Sequence, residues 1–175
     1  MSKLQPDIDI ERSSAGGFRF AIVVSRWNSD FTEKLLAEAV GALNEFGATA
    51  DDVRVFKVPG AFELPLASLK AAESGNYDAV IALGVVIRGD TPHFDFVAGE
   101  AASGIMQAGL KSGVPIMFGV ITADNEDQVI ERCGDGPANK GYEAAISAIE
   151  MVNLFREMSA DQGIRGSEKT HSHVV

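Results

Sequence analysis

Three short polar stretches, each following an apolar run, carry the side chains with chemistry to offer. They are Trp27-Asn28, Gly60-Ala61-Phe62-Glu63 and Arg88-Gly89-Asp90-Thr91-Pro92-His93. His93 is the one histidine in the body of the chain, since His171 and His173 lie near its end. An imidazole titrates near neutrality and can both take and give a proton, so His93 is either a proton-transfer group or a capping and packing residue. Trp27, the sole tryptophan, offers a face for stacking on a flat heterocycle or serves as a cap over the first helix. Glu63 sits where a carboxylate can accept hydrogen bonds from ligand hydroxyls or amines, or simply favour a helix dipole. Gly89-Asp90-Thr91 precedes a helix. Unpaired N–H groups and a threonine hydroxyl there suit a phosphate, Asp90 opposes one by like charge, and either residue can serve as a plain helix cap.

The elements that must position these groups read as an alternation. Strands are expected at Phe18 to Ser25, Val53 to Val58, Ala79 to Ile87 and Pro115 to Thr122. The first helix is expected after Asp30, where Asp30 and Glu33 have capping-box spacing, with Phe31, Leu35, Ala39, Leu43 and Phe46 on one face and Gly47 as its stop. The second is expected from Ala61 to about Ser74, with Pro65 in a first turn that tolerates it, and the third from Phe94 to Ser112. A short helix is expected at Asn125 to Cys133 and a long one at Lys140 to Met158, its inner face Tyr142, Ile146, Ile149, Val152 and Phe155.

Strand–helix alternation of this kind predicts a four-stranded parallel sheet of flavodoxin-like type, with helices on both faces in a three-layer sandwich. Right-handed crossovers fix most of the topology. The three polar stretches then open on one sheet edge, the carboxyl ends of the strands, where such sheets bind ligands. Residues 1–17 read as an N-terminal arm, 18–158 as a single α/β domain, and 159–175 as a polar, disordered tail.

Composition narrows the partners. The chain has 175 residues, enough for one domain with a sizeable core. A formal charge of -10 repels nucleic acid and acidic membranes, and an anionic ligand would need a local cation to overcome it. No apolar run is long enough to span a bilayer, and the first ten residues lack the apolar core of a secretory leader. One cysteine, Cys133, excludes an intrachain disulfide, which fits a reducing compartment, the cytoplasm. Cys/His metal-ligand spacing is absent. Arg132 and Lys140 flank the Gly134-Asp135-Gly136-Pro137 break and should lie away from their own sheet edge. They are solvated surface charges, or they serve an anion site on a neighbouring subunit. Phe118 lies inside the fourth strand and reads as a core residue.

Four motifs occur in order: Ser25-Arg26-Trp27-Asn28, Val58-Pro59-Gly60-Ala61-Phe62-Glu63-Leu64-Pro65, Gly84-Val85-Val86-Ile87-Arg88-Gly89-Asp90-Thr91-Pro92-His93-Phe94-Asp95, and Asn139-Lys140-Gly141. Together they resemble lumazine synthase, the penultimate enzyme of riboflavin biosynthesis, over about Phe18 to Phe155. The resemblance implies a transferase that condenses 5-amino-6-(D-ribitylamino)uracil with 3,4-dihydroxy-2-butanone 4-phosphate to 6,7-dimethyl-8-ribityllumazine. It implies no metal or organic cofactor. It also implies assembly as pentamers, decamers or sixty-subunit capsids, with each pocket between adjacent subunits.

By motif, the resemblance assigns Trp27 to stacking on the pyrimidine, and Ala61, Phe62 and Glu63 to the ribityl chain and ring. It assigns Val85, Val86 and Ile87 to backbone contacts with the pyrimidine, Asp90 and Thr91 to the phosphate-bearing substrate, and His93 to proton transfer. Phe118, Arg132 and Lys140 would come from the neighbouring subunit, with Arg132 on the phosphate. The rival readings are a non-catalytic flavin- or nucleotide-binding module, which would want a glycine-rich loop after the first strand, and a shell protein with a vestigial pocket. The loop present, Ser25-Arg26-Trp27-Asn28-Ser29, has no glycine.

Overall fold

Four apolar segments pair as one all-parallel sheet: β1 (Phe20–Ser25), β2 (Val53–Val58), β3 (Ala79–Ile87) and β4 (Ile116–Ala123), in the order β2-β1-β3-β4. The computed structural model describes residues 14–170, with side chains described as far as Asp161. The two central strands are buried almost throughout, which explains their near-continuous apolar runs, FAIVVS and AVIALGVVI. Edge strand β2 alternates apolar and polar residues and is only half buried.

Helices cover both faces. On one face α1 (Ser29–Glu45) and α5 (Lys140–Thr170) pack together over a core that includes Phe20, Ile22, Leu35, Leu43, Ile81, Leu83, Ile146 and Ile149. On the other, α2 (Leu64–Glu73) and α3 (His93–Ser112) enclose Val23, Leu64, Val80, Ala101 and Ile105. The short α4 (Glu126–Ile130) follows β4 and is capped by the Asn125 side chain, which accepts from the Gln128 N–H at 3.0 Å. Among the described residues no helix is long and apolar enough to cross a membrane.

Several local expectations are corrected. Asp30 does not cap α1. The cap position is Asn28, in left-handed backbone with φ 59° and ψ 46°, and Glu33 pairs with Lys57 across to β2. Asp30 instead lies within the first turn, where its charge favours the helix dipole. The segment Ala61–Glu63 is a 3-10 turn, and α2 begins only at Leu64. Helix α5 continues past Met158 to Thr170. Ser159-Ala160-Asp161 carries no proline, and the Ser159 hydroxyl donates back to the Phe155 carbonyl at 2.8 Å, so polarity alone does not end the helix there. Phe155 itself is exposed rather than core.

The expected arm is docked at its end. Ala15 is fully buried, its N–H donates to the Phe46 carbonyl, and Asn153 Nδ2 donates to the Ser14 carbonyl. Residues 1–13, and His171 and His173 of the expected tail, lie outside the described residues. Cys133 is buried against the α1–α5 core, and burial pushes its thiol above the ordinary range, so it stays protonated.

Candidate active site

Crossovers from β1 run to β2 on one side and from β3 to β4 on the other, so the chain reverses direction between β1 and β3. A crevice opens beyond the carboxyl ends of strands at such a switch point. Here it is a cleft of about 350 Å³, lined by Trp27, Asn28, Gly60, Ala61, Phe62, Val85, Val86, Ile87, Gly89, Thr91, His93, Phe94 and Val97.

Each wall is set by backbone pairing carried past the strand ends. The Arg26 N–H donates to the Val58 carbonyl at 2.9 Å and the Trp27 N–H to the Pro59 carbonyl at 3.2 Å, which aligns the β1 and β2 exits. Asn28 Nδ2 then donates to the Val85 carbonyl at 3.0 Å, tying the same turn to β3. Trp27 is 73% exposed, so its ring stands free at the mouth instead of capping α1. Gly60 lies between Trp27 and Glu63. A Cβ there would come 3.7 Å from Trp27 Cδ1 and 3.2 Å from Glu63 Oε2.

One carboxylate oxygen of Glu63 is engaged within its own turn. Its Oε2 accepts from the Gly60 N–H at 2.9 Å, closing the 3-10 turn, and the residue does not line the cleft. Ala61 and Phe62 do line it, Ala61 buried and Phe62 exposed.

The third wall is the end of β3 and the start of α3. Val85 and Val86 are buried and line the cleft. Thr91 and His93 line its rim, and Asp90 is exposed in the turn beside them. The His93 N–H approaches Thr91 Oγ1 at 3.4 Å, a long contact, and no side chain caps the helix firmly. His93 is exposed, and among the described residues its imidazole makes no hydrogen bond.

Three expected site residues lie elsewhere. Phe118 is on edge strand β4 and is 46% exposed, not core. Arg132 follows α4, where its Nη1 donates to the Gln128 carbonyl at 2.6 Å, and Lys140 at the start of α5 pairs with Glu143. None of them lines this chain's cleft. The Asn139-Lys140-Gly141 motif has a structural role. Asn139 is buried, donates to the Gly134 carbonyl and accepts from the Gly141 N–H, both at 2.7 Å.

Sequence reasoning passed over Asn28 and Gly60 as site residues, although both stood inside quoted motifs. The signal available was their type. Asparagine is the non-glycine residue most at ease in left-handed backbone, and glycine permits close approach of neighbours.

The fold and cleft define a doubly wound α/β domain with an aromatic and polar ligand site at its switch point. The family model for 6,7-dimethyl-8-ribityllumazine synthase matches residues 17–156. The chain is 54% identical over 145 residues to the 6,7-dimethyl-8-ribityllumazine synthase of Chlorobium chlorochromatii, covering 83% of this chain and 94% of that one. It is 53% identical over 144 residues to the protein of the same description from Chlorobium phaeobacteroides, with 82% and 93% covered. For that of Chlorobaculum tepidum the identity is 48% over 145 residues, with 83% and 94% covered. The chain therefore belongs to the 6,7-dimethyl-8-ribityllumazine synthase family. It is an enzyme family, and nothing in these matches favours the non-catalytic reading.

Proposed function

We propose that the chain joins 5-amino-6-(D-ribitylamino)uracil to 3,4-dihydroxy-2-butanone 4-phosphate, giving 6,7-dimethyl-8-ribityllumazine, inorganic phosphate and two molecules of water. The observation that carries this reading is the convergence of Trp27, Val85, Val86, Ile87 and His93 on one cleft in a chain of this family.

The pyrimidine lies against the Trp27 indole, its edge reading the backbone of Val85, Val86 and Ile87. The ribityl chain runs along Ala61 and Phe62, and Glu63 serves that end of the cleft through the Gly60 turn that it holds. The phosphate-bearing substrate sits at Gly89-Asp90-Thr91, beside the first turn of α3. The 5-amino group attacks the ketone carbonyl, and loss of water gives an imine. Phosphate then leaves as a proton is removed from the adjacent carbon. The ribityl-bearing nitrogen closes on the carbonyl that results, and a second water departs. His93, exposed at the cleft rim, takes and returns these protons. General acid–base help of this kind is typically worth about 10²–10⁴-fold. Holding both substrates in one geometry lowers the barrier further.

Among the described residues no lysine or arginine lines the cleft, and Arg88, just outside it, is engaged with the carboxylates of Asp95 and Asp124. This supports an assembly in which a second copy supplies Phe118, Arg132 and Lys140, none of which serves its own cleft. We take the working unit to be a pentamer or a multiple of one, in the cytoplasm, acting on small molecules. Turnover of the two substrates, followed by the product's absorbance, tests the reaction, and mass in solution tests the assembly. No lumazine product, or a fully active monomer, would reject the corresponding half of the reading.

A further inference from the structure

Arg88 is the first residue beyond β3, and its side chain reaches both the start of α3 and the exit of β4. Its backbone N–H donates to the Ala123 carbonyl at 2.9 Å, extending the β3–β4 pairing by one residue. Its Nε donates to Asp124 Oδ1 at 2.9 Å. Its Nη1 and Nη2 donate to the two oxygens of Asp95 at 3.3 and 3.0 Å. The guanidinium carbon lies 4.1 Å from the centre of the Phe94 ring, which itself lines the cleft. The hydrogen bonds to Asp95 first, and to Asp124 second, hold this guanidinium more firmly charged than an isolated one. Asp95 is two residues beyond His93, and its N–H donates to the Pro92 carbonyl at 3.0 Å. One planar group thus grips the residues on the far side of His93, stacks on the residue next to it and anchors both to the exit of β4. The five fixed donors of a guanidinium make this possible, and an ammonium cannot reproduce the fork.

We infer that Arg88 is a positioning residue, a clamp that fixes the first turn of α3 so that the His93 imidazole stands at a set place on the cleft rim. The inference rests on His93 as the proton-transfer group. Arg88 has no charge left for a substrate phosphate, because two carboxylates already answer it. Its effect therefore falls on the chemical step rather than on binding.

The test is a double-mutant cycle on the assembled full chain, with kcat and KM measured for Arg88→Gln, His93→Gln and the double variant. Arg88→Gln is expected to lower kcat roughly 10- to 100-fold, as misplacement of a catalytic group by about an ångström does, with KM for both substrates within about 3-fold. The double variant is expected to be no slower than His93→Gln alone, within about 3-fold, because the clamp acts only through the imidazole. Arg88→Lys should recover little. If Arg88→Gln does not assemble, Asp124→Asn removes one arm of the clamp and is expected to lower kcat several-fold with KM unchanged. A slow His93→Gln beside a normal Arg88→Gln or Asp124→Asn overturns the clamp and leaves the proposed reaction standing. Losses that multiply in the double variant overturn it too, by showing that Arg88 acts independently of His93. A His93→Gln at wild-type rate rejects the role of His93 and the clamp together.

Discussion

Asn28 donates from its side chain to the backbone carbonyl of Val85 across the cleft floor, at 3.0 Å and 57 positions apart in sequence. The same residue sits in left-handed backbone at φ 59°. It therefore fixes two things: the angle at which the chain turns from β1 into α1, and the distance between the Trp27 turn and β3. Asn28→Ala loses the hydrogen bond and places an alanine where it is strained, at a combined cost of about 1–3 kcal/mol. Asn28→Gly loses only the bond. The expected order of melting temperature is wild type, then glycine, then alanine. Trp27 is the sole tryptophan and largely exposed, so under the proposed stacking role its emission should report binding of the aminouracil. Both variants should bind more weakly in that titration. Equal stability of alanine and glycine would remove the backbone-strain argument.

Removing the His93 imidazole should slow the reaction without abolishing it. Under the proposed roles, stacking on Trp27 and the approximation of two substrates should survive His93→Ala, with only proton transfer lost. The expected fall in kcat is about 10²–10⁴-fold. Substrate titration through Trp27 fluorescence should be nearly unchanged. Complete loss of turnover with binding intact would mean that the imidazole does more than move protons.

Arg132 carries the corresponding expectation for the anion. Its guanidinium donates to the Gln128 carbonyl, which orients it beyond α4, and its one carboxylate partner among the described residues, Glu131, stands 3.5 Å off on an exposed side chain. Arg132→Ala should raise KM for the butanone phosphate about 10-fold or more, since hydrogen bonds to charged groups are worth about 1.5–3 kcal/mol. The KM for the aminouracil should stay within about 2-fold. An unchanged KM for the phosphate substrate would place the cation elsewhere.

Strand positions were legible because β1 and β3 are buried on both faces and so read as unbroken apolar runs. Most of the cleft was legible for a related reason: parallel topology sends successive strand exits to one edge, whatever the exits contain. What the sequence hid was which polar groups are already satisfied. Glu63 looks free for a ligand until its Oε2 is found on the Gly60 N–H, and Asp30 looks like a cap until Asn28 is found in the cap position. Arg88 gave no signal, because its partners Asp95 and Asp124 are brought together only by the pairing of β3 with β4. Phe118 lies away from its own cleft because β4 is the edge strand beyond β3, and Arg132 and Lys140 because they stand on the connection from α4 into α5, which covers the α1 face of the sheet.

The contact between α1 and α5 sets where Lys140 and the Arg132 loop stand, and it turns on one glycine. A Cβ on Gly141 would fall 2.0 Å from the Leu35 carbonyl oxygen and 2.7 Å from its carbon. Both are backbone atoms of Leu35, a fully buried residue of α1, and cannot swing aside. Glycine inside a helix ordinarily costs about 1 kcal/mol against alanine. Overpacking of a filled interface costs about 1–3 kcal/mol and more when backbone must move. At these distances the second effect wins, so Gly141→Ala is expected to be destabilising. Gly41, exposed in α1 with nothing within 4 Å of its would-be Cβ, meets only the first effect. Gly41→Ala should stabilise by up to about 1 kcal/mol. The Lys140 N–H donates to the Arg132 carbonyl at 2.9 Å, so a displaced α5 also drags Arg132. Gly141→Ala is therefore expected to melt lower and to raise KM for the phosphate substrate, while Gly41→Ala melts higher with kinetics unchanged. Opposite signs of the two melting shifts are the decisive result, and a shared sign would mean that helix propensity, not the α1–α5 approach, governs both positions.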